Sequence, residues 1–186
     1  MTTAKRSASL ALWWQPGRYM ADDWWHRLDL SAWQAAYGRH AALRPALDRL
    51  IAERLGHEGV PPPDDACADR LLAEADRRDA LCVGLGLWAM RCPDYLLLRP
   101  FRQTLMATLS QQQQTQLLAL FPRTHRCEAR LAPPQLATVA RQSGAAWLAR
   151  ADEPALALCR LLWPHSTGPA PDGPVRPVLD KLVRWL

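Results

Sequence analysis

The chain is poor in lysine, phenylalanine, glycine and β-branched residues, and it has no long apolar run. Lys5 and Lys181 are its only lysines, so its positive charge is almost entirely arginine. Two Phe stand against nine Trp, and nine Gly against sixteen Pro. Val and Ile are scarce while Leu and Ala dominate, which argues against a sheet and for helices. The longest apolar run, Leu81 to Met90, is about half of what crosses a bilayer. No apolar stretch of the signal-peptide kind follows Lys5 and Arg6, so no leader is expected. The five cysteines, Cys67, Cys82, Cys92, Cys127 and Cys159, are odd in number and none lies close to another in sequence. That spacing argues against a disulfide framework and against the paired ligands of a structural zinc site, and predicts free buried thiols in a reducing cytosol.

What remains is ordinary globular composition. Of the 186 residues, 49% are hydrophobic and 22% charged, enough for one domain, or one with an appendage, around a sizeable core. The net charge of +5 is unevenly spread. Residues 58–79 carry seven acids against three Arg, and residues 80–150 carry eight Arg against two acids. A uniformly basic surface would suggest nucleic acid; a split one fits protein partners at least as well.

The pattern predicts an all-α fold, a single helical domain over 10–186 of about eight to ten short helices, behind a disordered tip at 1–9. Pro-rich linkers are expected near 59–65 and 164–176. Leu10 to Trp14 reads as a short strand or extended lead-in. Ser31 with Gln34, and Ser110 with the glutamines after it, fit capping boxes. Leu43, Leu47, Leu50, Ile51 and Leu55 form one apolar helical face ended by Gly56. Asp64 or Asp65 should cap a helix from Ala66 that runs to Arg78 or continues to Arg91, with a break near Asp79 favoured. Pro133-Pro134 opens a helix whose stripe is Leu136, Val139, Ala140, Ser143 and Trp147. Asp152 should cap another, running to Trp163. The last helix starts at Pro177, with Val178, Leu179, Leu182, Val183 and Leu186 on its apolar side.

No motif for catalysis, metal or cofactor emerges. Gly84-Leu85-Gly86 lacks the third glycine and the preceding strand of a dinucleotide site, so it reads as close helix packing. His125-Arg126-Cys127 offers two metal ligands where about four are needed. Ser143-Gly144 sits mid-helix, without the strained turn of an activated nucleophile. Carboxylates fall in first helical turns or Arg-rich helices, where caps and solvated faces explain them. The tryptophans stand out more. Trp88 and Trp147 read as core. Trp13, Trp14, Trp24, Trp25 and Trp33 crowd one short segment, which makes it a candidate for an exposed binding anchor.

Three segments in fixed order carry a resemblance. They are L-A-L-W-W-Q-P-G-R-Y-M at 10–20, the helical run from Leu81 through Leu96–Pro100 to Leu120, and R-Q-S-G-A-A-W-L-A at 141–149 followed by Cys159-Arg160-Leu161. In this order they resemble the SctK family of type III secretion systems (YscK, PscK, MxiK, OrgA), and the last string resembles the YscK branch. Pro16, Arg18, Tyr19 and Met20 match the family pattern. Gly17 stands where Ala is usual, and Ala21-Asp22-Asp23 where a His-Pro-like turn is. The resemblance implies a helical, non-enzymatic adaptor without cofactors, at the cytoplasmic face of the inner membrane. It would bridge the cytoplasmic domain of the ring protein SctD to the pod protein SctQ, which leads through SctL to the ATPase SctN, touching the membrane only through partners and binding no nucleic acid. The 10–25 segment is expected to carry one contact, with Arg18, Tyr19, Trp24 and Trp25 as candidates. Replacing both Trp24 and Trp25 should then weaken partner capture and leave helicity intact. The alternative is a helical nucleic-acid-binding regulator using the Arg-rich stretch 80–150, although residues 133–150 are too apolar for a good recognition helix.

Overall fold

Leu- and Ala-rich segments punctuated by proline give helices of four to fifteen residues, in a computed structural model that describes residues 8–57, 59–73, 75–121, 127–166, 168 and 171–186. The N-terminal part consists of α1 (Ala8–Trp14), α2 (Pro16–Tyr19), α3 (Asp22–Arg27), α4 (Ser31–Arg39) and α5 (Arg44–Arg54). The middle holds α6 (Ala66–Ala73), α7 (Ala75–Ala89), α8 (Asp94–Leu97), α9 (Arg99–Leu105) and α10 (Gln111–Leu120). α11 (Leu136–Leu148), α12 (Pro154–Leu158) and α13 (Arg176–Trp185) complete the chain. Three 3₁₀ turns lead into α5, lead into α11 and follow α12, and the described residues contain no strand. The fold is all-α, with more and shorter helices than the sequence pattern suggests; proline stands at most of the boundaries but not at α2–α3, α3–α4, α6–α7 or α9–α10.

Several local expectations need correction. Leu10 to Trp14 is helical and not extended: Leu12 is fully buried, and α1 packs on α2, α5, α6 and α12. Ser31 does not cap α4, since Gln34 Nε2 donates to Asp22 Oδ1 at 2.8 Å instead of reaching back. Ser110 and Gln113 do form the capping box on α10, at 3.2 and 2.8 Å. Asp65 Oδ1 accepts from the backbone N–H of Cys67 and Ala68 at 2.8 and 3.0 Å, so Asp65 is the cap of α6. α7 runs unbroken past Asp79, whose carboxylate lies on the helix flank in a bidentate pair with Arg141 of α11 at 2.6 and 2.7 Å. It is Glu153, not Asp152, that precedes the first turn of α12. The expected tip at 1–9 falls largely outside the described residues. In the 59–65 stretch Pro62 is buried, and the helices on either side, α5 and α6, both pack on α1.

The core is organised on α7 and α11, the most extensively packed pair. Their contact has no room for side chains. A Cβ at Gly86 would lie 2.5 Å from the Ala140 carbonyl carbon and overlap its oxygen. A Cβ at Gly144 would overlap the Cys82 carbonyl and lie 3.1 Å from the Gly86 nitrogen. Gly86 and Gly144 thus let two backbones touch, and Gly84 admits Leu186 from α13. The helix-packing reading of Gly84-Leu85-Gly86 is the observed one.

The N- and C-terminal thirds are riveted together. Ala21 N–H donates to Leu161 O at 2.8 Å, Trp24 Nε1 to Trp163 O at 3.0 Å, and His165 N–H to Asp23 Oδ2 at 2.6 Å. Arg176 of α13 pairs with Asp65, so one acid of the acidic stretch is neutralised from outside the basic one. Cys67, Cys82, Cys92 and Cys159 are buried thiols and Cys127 is half-buried, each unbridged. The Cys92 thiol donates to Cys127 O at 3.1 Å.

Candidate functional site

A groove of about 1210 Å³ lies between the α1–α2 turn and the α4–α5 pair. Its position follows from local chemistry. Pro16 ends α1 and opens α2, turning the chain so that Trp13, Trp14 and Arg18 face α5. Pro45 does the same for α5, whose Arg44, Asp48 and Arg49 form the opposite wall.

At the floor lies a buried polar network. Asp48, 4% exposed, accepts from Tyr37 Oη at 3.0 and 3.2 Å and from Gly17 N–H at 3.0 Å. Burial raises the Asp48 carboxyl above its ordinary range, against the Tyr37 and Gly17 hydrogen bonds and the Arg44 charge. Burial also pushes the Tyr37 hydroxyl up, helped by the Asp48 charge. The pair forms a buried hydrogen-bonded strut between α4, α5 and the α1–α2 turn. The strut explains Gly17. A Cβ there would lie 2.8 Å from Tyr37 Cε2 and 2.9 Å from Cζ, so even alanine would have to displace this buried ring.

Arg44 is anchored by its Nε and Nη2, which donate to Tyr37 O and Gly38 O at 3.1 Å each, and its guanidinium lies 5.8 Å over the Tyr37 ring. Trp13 stacks on His57 with ring centroids 4.5 Å apart. Burial, then the Arg160 charge, holds His57 below its ordinary value. His165 is lowered too, first by burial and then by Arg27. A depressed imidazole binds its proton more weakly folded than unfolded, so the stability it confers is full above the ordinary range and falls as pH drops through it. Asp48 acts with the opposite sign, so the informative readout is a difference. His57→Phe, which keeps the stack, is expected to flatten the decline in Tm between roughly pH 7 and pH 5. Parallel melting profiles for the variant and wild type would remove His57 from this account.

The structure separates the four candidate contact residues. Arg18 is exposed on the groove wall, its guanidinium 5.6 Å over the half-buried Tyr19 ring. Trp24 and Trp25 are core, 6% and 3% exposed, and offer no docking surface. Trp24 packs edge-on to His165 and under Arg160, and Trp25 lies 5.2 Å from Tyr37. The exposed members of the tryptophan cluster are Trp14 and Trp33, at 60% and 49%. Arg44, Tyr37 and Asp48 were not singled out from the sequence. The one signal available was an acid, Asp48, set beside Leu47 on the apolar face of α5. Leu97 and Leu98 at the α8–α9 junction, and Met106 at the end of α9, are also exposed apolar side chains.

Among the described residues no three His, Cys, Asp or Glu gather as a metal site, and no helix is long and apolar enough to cross a membrane. His125 and Arg126 lie outside the described residues. No curated protein and no solved structure matches the chain. A family model described as a type III secretion system subunit matches residues 9–164, which include the groove, the α7–α11 contact and the Trp24 rivet. The chain belongs to that family of type III secretion system subunits.

Proposed function

We propose that this subunit is the SctK-type adaptor of the injectisome sorting platform. In this reading it is non-enzymatic and works in the cytoplasm at the inner membrane. It joins the cytoplasmic domain of SctD to SctQ and, through SctQ, to SctL and the ATPase SctN. The observation that carries the reading is a secretion-subunit chain with two exposed anchoring surfaces on different helices. One is the indole- and guanidinium-lined groove at α1, α2 and α5; the other is the exposed Leu97–Leu98 pair at the α8–α9 junction. Two such surfaces suit a protein with two neighbours. The groove's buried carboxylate is spent on Tyr37 and Gly17, which favours a rigid docking wall over a reactive centre.

A DNA-binding role for residues 80–150 is less well supported. α11 buries Leu136, Ala140 and Ser143 to Leu148, and its Arg141 is taken by Asp79, so its exposed side within the helix is reduced to Thr138 and Gln142, with no free arginine. Crosslinked capture of the tagged protein from its native cell, with the recovered chains sequenced, tests the adaptor reading. Homologues of SctD and SctQ are expected. Recovery of nucleic acid or a metabolic enzyme in their place would overturn it.

A further inference from the structure

The groove's chemistry narrows what it can hold. Three guanidinium groups, on Arg18, Arg44 and Arg49, are exposed along it, while Glu53 is its one exposed acid among the described residues. The Asp48 carboxylate lies below them, buried and bonded through both oxygens. None of the three arginines is in an ion pair within the described fold, in contrast to Arg141 and Arg176. Arg18 and Arg44 both act electrostatically on Tyr37, so their charges converge on the groove floor. Arg44 is pre-positioned: two of its five donors hold backbone carbonyls, leaving the rest of the fork for a carboxylate. The wall that carries Arg18 also presents Trp13, stacked on His57, and Trp14, the most exposed tryptophan. A cationic rim beside a fixed indole wall is complementary to a chain that alternates acids with aromatic or aliphatic side chains.

We propose that this groove docks an acidic segment of a partner protein, with carboxylates on Arg18, Arg44 and Arg49 and an apolar side chain against Trp13 and Trp14. The inference rests on the adaptor reading and names the partner chemistry of one of its surfaces. Two arms keep the two ideas apart, both using the full chain. In the first, fluorescence polarisation follows a labelled peptide alternating Glu with Leu and Phe, its Lys-for-Glu counterpart, and a single-stranded oligothymidylate. The Glu peptide is expected to bind at least about ten-fold more tightly than the Lys peptide, and more weakly as salt rises. The exposed double change Arg18→Glu with Arg49→Glu should reduce its binding about ten-fold or more without moving Tm, since neither side chain is buried. Equal binding of both peptides, binding of the oligonucleotide alone, no binding, or an unaffected double variant would each overturn the proposal. In the second arm the same variant replaces wild type in the cellular capture. If wild type recovers secretion-apparatus chains and the variant recovers them equally, the groove assignment fails and the adaptor reading stands. If wild type recovers none, the adaptor reading fails and the peptide arm alone judges the groove.

Discussion

Gly86→Ala is expected to destabilise the chain by about 3 kcal/mol or more and to lower Tm on the order of 10 °C, or to prevent folding altogether. The new methyl would have to occupy the position of the Ala140 carbonyl, which is main chain in the middle of α11 and cannot swing aside. Relief requires α7 and α11 to separate, and that opens the packing around Leu85, Leu136 and Leu148, all fully buried. Gly144→Ala should behave alike, because its Cβ would overlap the Cys82 carbonyl from the other side of the same contact. Gly84→Ala meets only the flexible end of Leu186, at 2.8 Å, and should cost less. Gly38→Ala is the control. Nothing lies within 4 Å of its Cβ, so in α4 it should stabilise by about 0.5–1 kcal/mol. Thermal melts of the four variants give the ranking. Similar melting temperatures for Gly86→Ala and Gly38→Ala would mean that the α7–α11 approach is not as close as described.

Trp24→Ala is expected to cost about 3–5 kcal/mol, a large share of the stability of a domain of this size. It removes a nearly fully buried indole, its donor to Trp163 O, its edge contact with His165 and the platform under Arg160. These are the links that tie α3 to the segment after α12, so the N-terminal helices should loosen from the rest. Trp25→Ala should cost a similar amount and also disturb the groove, because Trp25 supports the Tyr37 ring from behind. Circular dichroism and urea melts read both. The expectation that these two residues could be removed with helicity preserved is thus reversed: partner capture would fail through lost fold. A pair of variants that melt as wild type but lose partners would restore them as surface anchors. Trp14→Ala, at an exposed position, is the change expected to leave the melt unmoved.

Much of the architecture could be read from residue chemistry alone. Helix class follows from abundant Leu and Ala with little Val and Ile. The Asp65 cap, the Ser110 box, Pro100 in the first turn of α9 and the apolar face of α13 all depend on neighbours within four residues, so local sequence expresses them directly. The close-packing role of Gly86 could be anticipated for the same reason: a glycine inside a helical run is costly unless a neighbouring backbone needs the space. Ser31 was misleading because its box partner, Gln34, finds Asp22, a competitor that comes near only once α3 and α4 pack. Asp79 was misread as a break because its role is to pair with Arg141, sixty-two residues away.

The candidate site divides along the same line. The resemblance carried by three segments in fixed order implies a secretion subunit, and the family match agrees at that level. Composition also marks the 10–25 segment as rich in possible anchors. Which tryptophans fill the core and which face solvent depends on long-range partners: Trp163 and His165 for Trp24, Tyr37 for Trp25, His57 for Trp13. Five indoles in one short stretch have the same local propensity, so nothing near them in sequence can sort them. The groove itself has no sequence signature. Its floor joins Gly17, Tyr37 and Asp48, and its rim joins Arg18 to Arg44 and Arg49, across turns set by Pro16 and Pro45. Helix content is a property of neighbours and was legible in the chain; a surface built by packing distant segments together exists only once they are packed.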